Sequence, residues 1–108
     1  MRRGTTPTVS LTVSNDDGTP CDLTGASNYV TFEEVGTGYE LTKSGADLDV
    51  SFDDDVTKIA VTLTQAETLA FHPNRIVKVQ LRSKLNGIAI ASELAQFNVG
   101  DILLEGEI

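Results

Sequence analysis

Tryptophan is missing, cysteine and histidine occur once each, and 8 Lys and Arg face 16 Asp and Glu in 108 residues. Each shortage closes off a class of protein. The lone Cys21 permits no intramolecular disulfide, so a covalent dimer is the only disulfide product open to it. Pro20-Cys21-Asp22-Leu23 supplies neither a second Cys nor a nearby His. The thiol therefore reads as a structural side chain and not as a metal ligand or activated nucleophile. No apolar run is long enough to cross a bilayer, and Met1-Arg2-Arg3-Gly4 leads into Thr5-Thr6-Pro7 with no apolar core of a signal peptide. The expectation is a chain made in the cytoplasm, without a membrane partner. Its length suits one domain that buries roughly 60–65% of its unfolded surface, enough for an apolar core to hold it without staples.

The net charge of −8 is unevenly spread. Asp47, Asp49, Asp53, Asp54 and Asp55 crowd one stretch with Lys58, whereas Arg75, Lys78, Arg82 and Lys84 crowd another. A nucleic-acid binder needs a basic surface that releases counterions, and an acidic chain with 6% aromatics does not offer one. No nucleic acid is expected. Mixed basic and acidic faces suit contact between copies or with other proteins.

What is present is alternation. Val9, Leu11 and Val13 alternate with Ser10, Thr12 and Ser14, and Val30 with Phe32, Tyr39 with Leu41, and Leu48 with Val50 and Phe52 repeat the pattern. So do Ile59, Val61 and Leu63, and then Val77, Val79 and Leu81. Period two with one apolar face is the mark of a strand lying on a core. Asn15-Asp16-Asp17-Gly18, Gly36-Thr37-Gly38 and Ser44-Gly45-Ala46 supply the turns. Asn86-Gly87, set between two such runs, predicts a two-residue hairpin. After it, Ile88 and Ile90 share one parity while Phe97 and Val99 take the other, so a one-residue bulge is expected near Ser92–Ala95.

Thr64-Gln65-Ala66-Glu67 has the spacing of a capping box, and His72-Pro73-Asn74 stops the helix it starts. Leu69 and Phe71 are expected to pin this helical turn over one end of the core. His72 has no Ser, Cys or acid beside it in sequence, and it reads as a loop residue. The aspartates at 47, 49 and 53–55 match no EF-hand spacing, so a solvated acidic edge is favoured over calcium. No catalytic residue, cofactor site or metal site is assigned, and the chain is read as non-enzymatic. The fold expected is all-β: an immunoglobulin-like antiparallel sandwich of about seven strands in residues 8–108, with one short helical turn between the fifth and sixth. A small antiparallel barrel is the alternative. Residues 1–7 are expected to be a flexible polar arm.

Two resemblances add to this. The turn followed by Asp22-Leu23-Thr24-Gly25-Ala26 and the strand with Val30-Thr31-Phe32 resemble the opening of immunoglobulin-like domains in tailed-phage baseplate and tail-tip proteins, such as the N-terminal domain of the baseplate upper protein. In it Leu23 would plug the core edge. Over its whole length the chain also resembles small prophage-encoded proteins of gut bacteria. Met1–Thr8, Val61–Leu69, Val77–Arg82 and Ala91-Ser92-Glu93 carry that likeness. The resemblance implies a structural role in a phage tail or baseplate, placement in the virion, and other virion proteins as partners.

The contact residues expected are Arg2 and Arg3 in the arm, ordering on a neighbour, and Lys78 and Arg82, meeting carboxylates such as Asp53–Asp55 of another copy in a homo-oligomer. Ile102, Leu103 and Leu104 are more apolar than a free tail requires, and they pack either on their own sandwich or on another subunit. The alternative function is a host-surface carbohydrate-binding module, with or without calcium, for which the chain is poor in exposed aromatics.

Overall fold

In the computed structural model, which describes residues 1–15, 17–91, 95–102 and 104–108, each alternating run becomes a strand. They are β1 (Thr8–Val13), β2 (Ser27–Glu34), β3 (Glu40–Ser44), β4 (Leu48–Asp53), β5 (Val56–Thr62), β6 (Ile76–Leu85), β7 (Ile88–Ala91) and β8 (Ala95–Asn98). A 3-10 turn at Gly45–Asp47 joins β3 to β4, and the five-residue helix α1 (Gln65–Leu69) stands between β5 and β6. One sheet has the order β1-β5-β4. The other runs β3-β2-β6, with β7 and β8 sharing the far edge of β6. All these pairings are antiparallel. This is a two-sheet sandwich whose orders match B-E-D and C′-C-F-G of an immunoglobulin-like domain. The helical turn lies between the fifth and sixth strands as expected, and the seventh expected strand is divided into β7 and β8.

The core forms where the two inner faces meet. Val30 and Phe32 from β2, Ile59 and Val61 from β5, and Val77, Val79 and Leu81 from β6 are all 2% exposed or less. Each such side chain contributes about 1.5–3 kcal/mol relative to leaving it in water. Phe97 tilts against Phe32 at 6.4 Å, and Tyr39 meets Phe71 edge-on at 5.1 Å. Val9, Leu11 and Val13 are half-buried along β1. Phe52, expected inside, is exposed at the end of β4. Ile88 and Ile90 pair with Leu85 and Ser83, which puts them on the inner side of their sheet, yet they too are exposed. Right parity does not produce burial there.

Asn86 and Gly87 both have positive φ, 51° and 80°, as a type I′ turn requires. The bulge expected near Ser92–Ala95 falls largely outside the described residues, and only the flanking registers bear on it. Arg82 faces Ala91 and Val79 faces Ala95, so three steps on β6 match four on the returning chain. The β4–β5 turn reaches the same geometry without glycine, with Asp54 at φ 51° and Asp55 at φ 64°.

Leu23 is buried, as the plug reading requires. Thr57, wholly buried on β5, donates to Cys21 O at 2.7 Å and accepts from Leu23 N at 2.9 Å. Leu23 O accepts from Asn28 Nδ2 at 3.1 Å, and Asn28 Oδ1 accepts from Ser83 Oγ at 2.6 Å. These bonds link the two sheets through the plug. Cys21 is free and buried.

Residues 1–7, expected as a flexible polar arm, pair with the segment around Gly100. Arg2 bridges Gly100 in parallel, Arg3 N donates to Gly100 O at 3.0 Å, and Gly100 N donates to Met1 O at 2.6 Å. Leu63 N donates to Pro7 O and Thr68 Oγ1 to Thr5 O. Gly4, at φ 71°, lies so close to Ile102 that a Cβ there would stand 2.9 Å from its Cδ1. A polar segment that cannot bury much apolar area is thus held by backbone pairing and one arginine.

Two stability changes follow. Asp55→Gly is expected to stabilise the chain by about 0.5–1 kcal/mol by relieving left-handed strain, read as a higher denaturation midpoint with unchanged slope. Arg3→Ala is expected to destabilise by about 1–3 kcal/mol in the same measurement, through the contacts described next.

Candidate functional site

The inner face of β2 reads Asn28, Val30, Phe32, Glu34, and all four are buried. Parity carries the carboxylate of Glu34 indoors at the strand's end, where it must find donors. It finds three. Thr37 Oγ1 donates to Oε2 from the following turn, His72 N donates to Oε1, and His72 Nδ1 lies 2.8 Å from Oε2. An ionised carboxylate only accepts, so Nδ1 carries a proton toward it from a ring that is 60% exposed. Burial pushes the Glu34 carboxyl up, but the bonds from Thr37 and His72 outweigh it and hold the group below its ordinary value.

His72 closes a segment that receives polar contacts from several parts of the chain. The capping box is present, with Glu67 N donating to Thr64 Oγ1 and Thr64 N to Glu67 Oε1 at 2.8 Å. Glu67 Oε2 also pairs with Lys43 Nζ at 2.6 Å. Desolvation raises its carboxyl, but Lys43 and the cap overcome that and lower it. At the other end of α1, the Arg3 fork donates from Nε to Phe71 O at 2.7 Å and from one terminal nitrogen to Leu69 O at 3.1 Å. Its second terminal nitrogen reaches Asp101 at 2.9 Å and Glu105 at 2.8 Å. The Ile102 N–H and then Arg3 hold Asp101 below the ordinary carboxylate range.

This arrangement orients a histidine, but it does not assemble a hydrolytic triad. Thr37 donates to the carboxylate and not to the ring, and Cys21 is buried near the opposite end of β2, bonded through its carbonyl to Thr57. The interactions of Glu34, Arg3 and Glu67 tie loops to the sandwich.

The contact residues expected from sequence part company. Arg3 is turned inward to the crossover, whereas Arg2 stays exposed and donates to Asp101 O at 2.8 Å. Ile102 is half-buried beside Gly4, Leu104 is 71% exposed, and Leu103 lies outside the described residues. Lys78 and Arg82 are exposed on the outer face of β6 and have no ion pair among the described residues. They line a shallow depression of about 380 Å³ with Thr31, Glu33, Gln80 and Glu40. Among the described residues no three His, Cys, Asp or Glu side chains converge as a metal set.

Glu34 was within reach of sequence reasoning. Continuing the Val30–Phe32 parity by one step puts it inside, whereas its pairing with His72, 38 positions away, had no sequence signal.

Fold and contacts define an all-β sandwich domain with a polar latch over the crossover between its sheets. No protein-family model matches the chain, and no curated protein or solved structure is detectably similar to it.

Glu34→Gln replaces an acceptor by a donor that faces donors, and is expected to cost roughly 1–3 kcal/mol in denaturant unfolding near neutral pH. Because the folded carboxyl titrates below its unfolded value, its stabilisation is fully present above the ordinary Glu range of about 4.3 and is lost as pH falls through the folded value. Stability measured from pH 7 down to about pH 3 should therefore fall less steeply in Glu34→Gln than in the wild type. Equal slopes would remove Glu34 from the acid response.

Proposed function

We propose that this chain is a non-enzymatic structural module of a phage or prophage particle, in its tail or baseplate, which works by protein–protein contact. The observation that carries the reading is the outer face of the five-stranded sheet. There Lys78 and Arg82 stand exposed beside Glu33 and Glu40 in a shallow, open depression of mixed charge. Such a surface suits a neighbour with complementary charge better than a small substrate, which calls for a concave, largely apolar site. The segments that resemble prophage proteins lie in the docked N-terminal segment, in the passage from β5 through α1, and in β6, with Ala91-Ser92-Glu93 extending outside the described residues. The likeness therefore concerns the parts that build the sandwich, and the virion assignment rests on it. Ile102 and Leu104 extend the possible contact area along the tail.

The test is mass spectrometry of particles purified from an induced lysogen that carries this gene. Peptides of the chain at a stoichiometry comparable to known tail proteins are expected. Its recovery only from the soluble lysate overturns the reading. The paired substitution Lys78→Glu with Arg82→Glu is expected to leave the melting temperature within a few degrees of wild type while cutting incorporation roughly ten-fold or more, since surface charges matter little to folding.

A further inference from the structure

We propose that the free edge of β1 pairs with β1 of a second copy, antiparallel and centred on Leu11; this deepens the assembly reading and rests on it. β1 hydrogen-bonds to β5 on one side and, among the described residues, ends its sheet on the other. The phase of the ladder is set by the Leu63 N–H to Pro7 O bond. Since hydrogen-bonded pairs recur every second residue, Val9, Leu11 and Val13 turn their backbone groups to β5, and Thr8, Ser10 and Thr12 turn theirs to the open side. The hydroxyls of Thr8 and Thr62, 2.9 Å apart, fit the close approach of a non-hydrogen-bonded pair.

Other edges carry deterrents that β1 lacks. β4 bears Asp49 and Asp53, and β3 bears Glu40 and Lys43. The β7–β8 edge changes register by one residue between Ala91 and Ala95, which interrupts a template strand. β1 reads Thr-Val-Ser-Leu-Thr-Val, without charge, proline or bulge. In a chain of net charge −8, two copies meet with least repulsion along such a segment.

The sequence also selects the occupant and the register. With Leu11 opposite its counterpart, Val9 faces Val13 and Ser10 faces Thr12 of the other copy. The half-buried apolar row of β1 then continues across the two-fold axis on one face, with hydroxyls on the other. A slip of one residue would put the second copy's apolar row on the wrong face. The centred register also brings the outward groups of Ser10 and Thr12 into mutual hydrogen-bonding positions. The product is one continuous six-stranded sheet, β4-β5-β1-β1-β5-β4.

The experiment is sedimentation of the full chain from low micromolar to about millimolar concentration, with amide exchange followed residue by residue. A dimer is expected, in which the Ser10 and Thr12 amides slow roughly ten-fold or more with concentration while those of Leu11 and Val13 change little. Thr12→Pro removes a donor only on the open side and should give a monomer with a near-wild-type melting temperature. Ser10→Lys, which keeps the backbone donor but adds facing charges, should weaken the dimer in a salt-dependent way. A wild type that stays monomeric overturns the pairing, as does a dimer that survives both substitutions with Ser10 and Thr12 unprotected. A chain found in particles yet monomeric in solution removes this pairing and leaves the assembly reading, whereas a dimer absent from particles does the reverse.

Discussion

The passage from one sheet to the other sets the constraint that the rest of the structure answers. Between β5 and β6 the chain crosses the end of the sandwich through a helix of five residues, too short to satisfy its own terminal groups. Its first donors are met by Thr64 and Glu67, but the carbonyls of Leu69 and Phe71 need donors from elsewhere. The Arg3 fork supplies them, and its remaining nitrogen is neutralised by Asp101 and Glu105. The N-terminal segment and the C-terminal tail are thereby fixed by a need that arises in the middle of the chain.

Glu34 plays the matching part for β2. An apolar residue at its position would bury more favourably, because taking a carboxylate out of water is costly. The polar pair Asn28 and Glu34 instead brackets Val30 and Phe32 at both ends of the strand's inner face, each with partners that exist in one place only. A one-residue slip of β2 would send both outward and bring Tyr29, Thr31 and Glu33 into the core. The buried polar groups thus hold a register that the apolar ones alone would hold less firmly.

The sequence made the strands legible because period two survives wherever two sheets cover each other, as in β5 and β6. It made the Asn86-Gly87 hairpin and the capping box legible because those depend on neighbours within four residues. At Ile88 and Ile90 parity specifies the face but not the burial, since both side chains are exposed. The sequence was silent on the pairings of residues 1–7, since a polar segment without alternation gives no sign that a distant helix end needs its arginine. The contact residues divide on the same line. Lys78 and Arg82 follow from strand parity, whereas the fate of Arg3 depends on a partner 66 to 102 positions away.

The parallel pairing of Arg2 with Gly100 also has a mechanical side. Tension drawn between the two ends of the chain would run along these segments in opposite directions, so the bonds joining Met1, Arg3 and Gly100 would be loaded together in shear. A zipper opens one bond at a time, but a sheared patch must yield as a unit. The sandwich is therefore fastened at its ends in the geometry that best withstands pulling along its length.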